Sequence, residues 1–83
     1  MSKRIILGVH ITNRLKNVAQ VQKILTQYGC NIKTRLGLHE VGESYCAPNG
    51  LLILETHGNT KDVLAMEKKL KKVAGLTVKK MVF

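Results

Sequence analysis

Apolar and polar positions change their period several times along this chain, and each change marks an element. Ile5 to Ile11 is mostly apolar and β-branched and stops at Thr12-Asn13. That predicts a strand apolar on both faces, hence central in its sheet. Asn13 can cap a following helix. From Leu15 to Tyr28 the apolar residues are Leu15, Val18, Val21, Ile24, Leu25 and Tyr28. Their three- and four-residue spacing predicts an amphipathic helix, with Gly29 as its stop. Cys30 to Leu38 alternates Ile32, Thr34, Leu36 and Leu38 against Lys33, Arg35, Gly37 and His39, the pattern of a half-buried strand. Glu40 to Gly50 is rich in Gly, Ser, Pro and Asn and predicts a loop or wide hairpin. Leu51 to Thr56 is a second apolar strand. Asn59-Thr60 opens a second helix, with Asp62 in its first turn where a negative charge suits the helix dipole. Val63, Met66 or Glu67, Leu70 and Val73 carry that helix up to Gly75, and Leu76 to Phe83 makes a last strand.

The order β-α-β-β-α-β contains a repeat. An offset of 46 residues lays Asn13 on Asn59, Ala19 on Ala65, Lys23 on Lys69, Gly29 on Gly75 and Lys33 on Lys79. Both helix starts and both helix stops coincide. Two βαβ halves in tandem predict an α+β, ferredoxin-like βαββαβ sandwich spanning residues 1–83 as one domain. Crossover handedness puts both helices on one face of a four-stranded antiparallel sheet, with the first and third strands central. The other face has no element left to cover it. Both central strands nevertheless carry apolar residues on both sides. We therefore expect a homo-oligomer, dimer or tetramer, that buries this face or a sheet edge.

Composition narrows the setting. At 83 residues the core is small. The longest apolar runs, such as Leu51-Leu52-Ile53-Leu54, fall far short of the ~20 residues of a membrane span. No signal-peptide pattern opens the chain. A cytoplasmic protein with no membrane partner is expected, its two cysteines, Cys30 and Cys46, reduced. The net charge of +9 attracts phosphate at long range. Lys68, Lys69, Lys71 and Lys72 with Lys79 and Lys80 make a basic end. The predicted central strands lack the stacking aromatics of RNA-binding sheets, so a solvated lysine face is the better reading than a nucleic-acid surface.

Candidate chemistry is sparse. Of the five acids only Glu55 falls in a central strand, and a structural pair with Arg35 or a lysine is expected for it. No base or nucleophile accompanies it, so no enzyme activity is expected. The His and Cys residues lack the short fixed spacings of a metal site. A transition-metal sensor would have to join His39, Cys46 and His57 between subunits, and no cofactor is expected. For a small anion the better place is Thr12, Asn13 and Arg14, where free backbone N–H groups and a cation open the first helix. Arg35 or His39 would come from across a subunit interface.

Two stretches resemble a known family. Thr34-Arg35-Leu36-Gly37-Leu38-His39 looks like an R-φ-G-φ-P segment (φ apolar), with His39 where proline is frequent. Lys69 to Lys79 resembles a K-L-G-x-φ-x-G-V-x-V-K ending, with Lys71 where glycine is frequent. Both are similar to the stand-alone ACT-like proteins of the iron-only hydrogenase system regulator family, which share a fold with the C-terminal domain of the nickel-responsive regulator. The resemblance implies an ACT-like regulatory domain that oligomerises through its sheets. Such a module would bind a small-molecule effector and act, in transcriptional regulation, through a regulatory protein partner. The nickel regulator's His-x-His pair and its cysteine before the third strand have no counterpart here, and its metal set does not carry over.

Overall fold

The computed structural model describes the backbone of residues 4–11, 14–41 and 46–83, and the side chains of 4–11, 19–38 and 50–83. The elements are β1 (Ile5–Ile11), α1 (Arg14–Gln27), β2 (Ile32–Val41), β3 (Cys46–Thr56), α2 (Thr60–Lys71) and β4 (Leu76–Val82), with a 3-10 turn at Gly29–Asn31. The sheet order is β2-β3-β1-β4, and every neighbouring pair is antiparallel. The expected ferredoxin-like α+β arrangement is present, with β1 and β3 at the centre. The internal offset also holds, since α1 opens at Arg14 and α2 at Thr60.

The core lies between the helices and one sheet face. Ile5, Leu7, Val9, Leu52, Leu54 and Val78 point to that side, and Val21, Leu25, Val63, Met66 and Leu70 of the helices meet them. Each such side chain contributes about 1.5–3 kcal/mol by leaving water. The Thr56 hydroxyl, buried on the same side, donates to the Ile5 carbonyl at 2.6 Å. The Asn59 side chain caps α2 by accepting from the Lys61 amide at 2.8 Å. At Gly58 φ is +92°, and a Cβ there would stand 3.1 Å from the Asn31 amide nitrogen, so the β3–α2 turn calls for glycine.

Three boundaries differ from those read in the pattern. The helix α2 stops at Lys71 rather than at Gly75, and Val73 is buried from the turn that follows. The segment expected as a loop, 40–50, is largely strand: β2 runs on to Val41 and β3 begins at Cys46. β1 ends opposite Gly50, so the outer part of β2 and β3 is a two-stranded ribbon that extends past the sheet. Pro48 fits there because β3 has no β1 partner beyond Gly50, and the register shifts between His39 and Val41.

A further difference concerns faces. A register shift between Ile32 and Thr34 breaks the alternation of β2. Ile32 packs against the core, but Leu36 and Leu38, paired with Ile53 and Leu51, stand on the side away from the helices. They are 52% and 49% exposed, where the pattern sets them with Ile32 on the strand's buried face.

Candidate functional site

The face away from the helices is assembled row by row by the strand registers. One row is Thr34, Glu55, Ile6 and Met81; the next is Leu36, Ile53, Gly8 and Lys79; the third is Leu38, Leu51, His10 and Thr77. Leu36, Leu38, Leu51 and Met81 are four of the large apolar side chains exposed among the described residues. Nothing in the described chain packs over this face. At one end of it Arg4, Ile6, Glu55 and Phe83 line a shallow depression. Glu55 accepts a hydrogen bond from the Thr34 hydroxyl there at 2.8 Å.

The Glu55–Arg35 pair read from the sequence does not form. Arg35 is paired with Leu54, whose side chain is in the core, so the two charged residues leave opposite faces of the sheet. Arg35 instead donates to the Gln22 side-chain oxygen of α1 at 3.4 Å. The shift in β2 register is the cause, and alternation alone gives no sign of it.

Of the five residues read as an anion site, the backbone of Arg14, Arg35 and His39 is described. Thr12 and Asn13 lie outside the described residues. Arg14 is the first residue of α1. His39 pairs with Gly50, and Gly50 with Ile11, so one row across the sheet brings His39 to the end where α1 opens. That end has no acid in the first turn of α1. Arg35 stands four residues back along β2, about 13 Å away at ~3.3 Å per residue. Within one chain Arg35 therefore stands apart from His39 along β2.

Within one chain the strands set His57 far from His39 and Cys46. Val41 pairs with Cys46, and His39 with Gly50, at one end of β3; His57 follows Thr56 at the other. From Gly50 to Thr56 alone is about 20 Å of strand. Among the described residues no group of three or more His, Cys, Asp or Glu side chains could hold an ion. Cys30 is a free, exposed thiol.

The basic end is likewise divided. Lys80, opposite Leu7, turns toward the helices and reaches the Glu67 carboxylate at 3.0 Å. Lys71 lies 3.4 Å from the other Glu67 oxygen. Lys69 sits over the Tyr28 ring, 5.4 Å from its centre. Lys79, opposite Gly8, leaves from the uncovered face. Glu67, an acid, is buried on α2 together with Met66. The spacing from Val63 to Leu70 left Met66 or Glu67 for that side, and both are buried; what the pattern did not give is the burial of a carboxylate.

No helix of the described residues is long and apolar enough to cross a membrane. No protein-family description matches this chain, and no curated protein does. Among solved structures it is similar to the uncharacterized protein TM1266 from Thermotoga maritima. The TM-score is 0.81 at 25% sequence identity, over 99% of each chain. The likeness thus extends over the whole βαββαβ unit.

Proposed function

We propose that this chain is an ACT-like regulatory module. It works as a homo-oligomer, reads a small anionic ligand where copies meet, and acts through a partner protein in transcriptional regulation. This agrees with its resemblance to the iron-only hydrogenase system regulator family. One observation carries the reading: a sheet face with Leu36, Leu38, Leu51 and Met81 all more than a third exposed. A domain this small has little apolar surface to spare, and a contiguous patch of that kind marks an interaction surface. The ligand part rests on the row that sets His39 and Arg14 at one end of the sheet. Backbone N–H groups and a cation at a helix start suit a carboxylate or phosphate. Arg35 would reach that site from a neighbouring copy.

Native mass spectrometry of the protein as purified, with no ligand added, is the test. A dimer or tetramer is expected, and an organic adduct would identify the ligand directly. A bare monomer at tens of micromolar overturns the assembly. Once a ligand is in hand, Arg14→Glu with Arg35→Glu should abolish its binding and leave the circular dichroism of the fold unchanged. Unaltered affinity removes those residues from the site.

A further inference from the structure

We infer that the outward face of α2 is a docking surface for an acidic segment of a partner protein, one that carries apolar residues among its carboxylates. The inference rests on the reading above that the chain acts through a partner, and it adds where that partner sits and what chemistry it presents.

Helix periodicity sorts the residues of α2. Val63, Met66, Glu67 and Leu70 are buried. At ~3.6 residues per turn the opposite side holds Lys61, Leu64, Ala65, Lys68 and, at the helix cap, Lys72. These lysines are exposed, and so is Leu64 between them, by 40%. At ~1.5 Å per residue the stripe from Lys61 to Lys72 is about 16 Å long.

The lysines of this stripe are uncommitted. Lys69 stands over the Tyr28 ring, and Lys71 and Lys80 are drawn to Glu67. Among the described residues no acid lies within ion-pair distance of Lys61, Lys68 or Lys72. A helix face kept only for solvent gains by alternating its charges four residues apart. This one sets Lys72 four residues after Lys68, a like-charge spacing that costs stability. α1, packed beside α2, adds Arg14, Lys16 and Lys23 and has no acid. The uncovered sheet face, by contrast, offsets Arg4 and Lys79 with Glu55. Positive charge is gathered on the helix layer, and of the two α2 acids Asp62 alone is left in water beside it.

The stripe selects its occupant. A second copy does not supply the carboxylates, because Glu67 is buried and Glu55 lies on the opposite side of the sheet. A membrane takes up an apolar helix face, and that of α2 is in the core. A nucleic acid draws on a longer run of free cations or on stacking aromatics, and leaves Leu64 without a partner. An acidic segment with apolar side chains between its carboxylates meets the lysines and Leu64 together.

The probe is a synthetic peptide of glutamates with leucines at helical spacing. It is titrated at about 0.15 M ionic strength into isotopically labelled protein while the backbone amide shifts are followed. Shifts should concentrate on α2. A peptide with serine for leucine should bind at least about fivefold more weakly, and Leu64→Gln should erase that preference. Lys61→Glu with Lys68→Glu should weaken binding at least about tenfold. That pair keeps the helix, since a carboxylate suits the first turn and one at position 68 stands four residues before Lys72. Its circular dichroism should match wild type. Arg4→Glu with Lys79→Glu changes the net charge equally and should leave the affinity within about twofold. Shifts away from α2, or equal losses in the two reversed pairs, overturn the docking surface. Tighter binding of duplex DNA or of phosphatidylserine vesicles than of the leucine peptide overturns it too. If the reversed pair at α2 loses its fold, Leu64→Gln and the serine peptide still decide. A chain that takes up the peptide yet stays single in mass spectrometry refutes the assembly alone, and an oligomer that ignores the peptide refutes this inference alone.

Discussion

Glu67 offers a test of how electrostatics and burial balance in this domain. Its side chain is 7% exposed, with Lys80 at 3.0 Å and Lys71 at 3.4 Å, and its Oε2 has no hydrogen-bond partner. The gross attraction to one lysine at 3.0 Å is roughly 5 kcal/mol at an effective dielectric constant of ~20. Taking a carboxylate out of water costs several kcal/mol, so the two terms nearly cancel. What decides the outcome is which partner is removed. Lys80 and Lys71 are 38% and 55% exposed, so either can return to water when Glu67 is lost. Glu67 cannot do so when a lysine is lost. Glu67→Met, which keeps the volume, should therefore change stability by less than about 1 kcal/mol. Lys80→Met should cost about 1–2 kcal/mol, because it leaves a buried carboxylate with only the longer contact. In the double variant Lys80→Met should cost nothing further, and the coupling in the cycle should be 1 kcal/mol or more, roughly. Urea titrations at pH 7 and one low protein concentration give all four corners. A loss above about 3 kcal/mol for Glu67→Met alone would refute the reasoning, since the carboxylate would then be an anchor rather than a tolerated charge.

Leu54→Ala removes a fully buried side chain from a central strand and should cost about 3–5 kcal/mol. Against the ~4–12 kcal/mol open to a domain of this length, that removes at least about a quarter of the stability and should lower the urea midpoint clearly. On duplex DNA the divided lysines should give a weak affinity whose log–log salt slope is shallower than about −3, the value for three or four phosphates. A slope beyond about −5 in a fluorescence anisotropy titration would restore the nucleic-acid reading.

The strand order, the central pair and both helices were legible because each rests on a long run of one period. β1 and β3 had to be central once both of their faces were apolar. Asn59 and Gly29 marked a start and a stop through chemistry local to the backbone. The faces of β2 were not legible. One register shift after Ile32 reverses every later residue, and a shift of that kind leaves no trace in alternation. The same shift turned Arg35 away from Glu55. Pro48 and the glycines around it read as a loop, because turn residues and the residues of a free strand extension are the same residues. Of the proposed anion site, the helix opening near Arg14 was readable from the Thr12-Asn13 that precedes it in the sequence; the row that brings His39 to that end is a property of pairing, which a single sequence does not state.

The ribbon formed by the outer parts of β2 and β3 has one more consequence. Beyond Gly50, β3 has lost β1 and presents a bare strand edge. An edge of that kind recruits foreign strands and grows without limit. Pro48 stands in that stretch and has no N–H to offer an incoming chain. It interrupts the template midway. The residue that made this stretch read as a loop thereby blunts its bare edge against strand-by-strand growth.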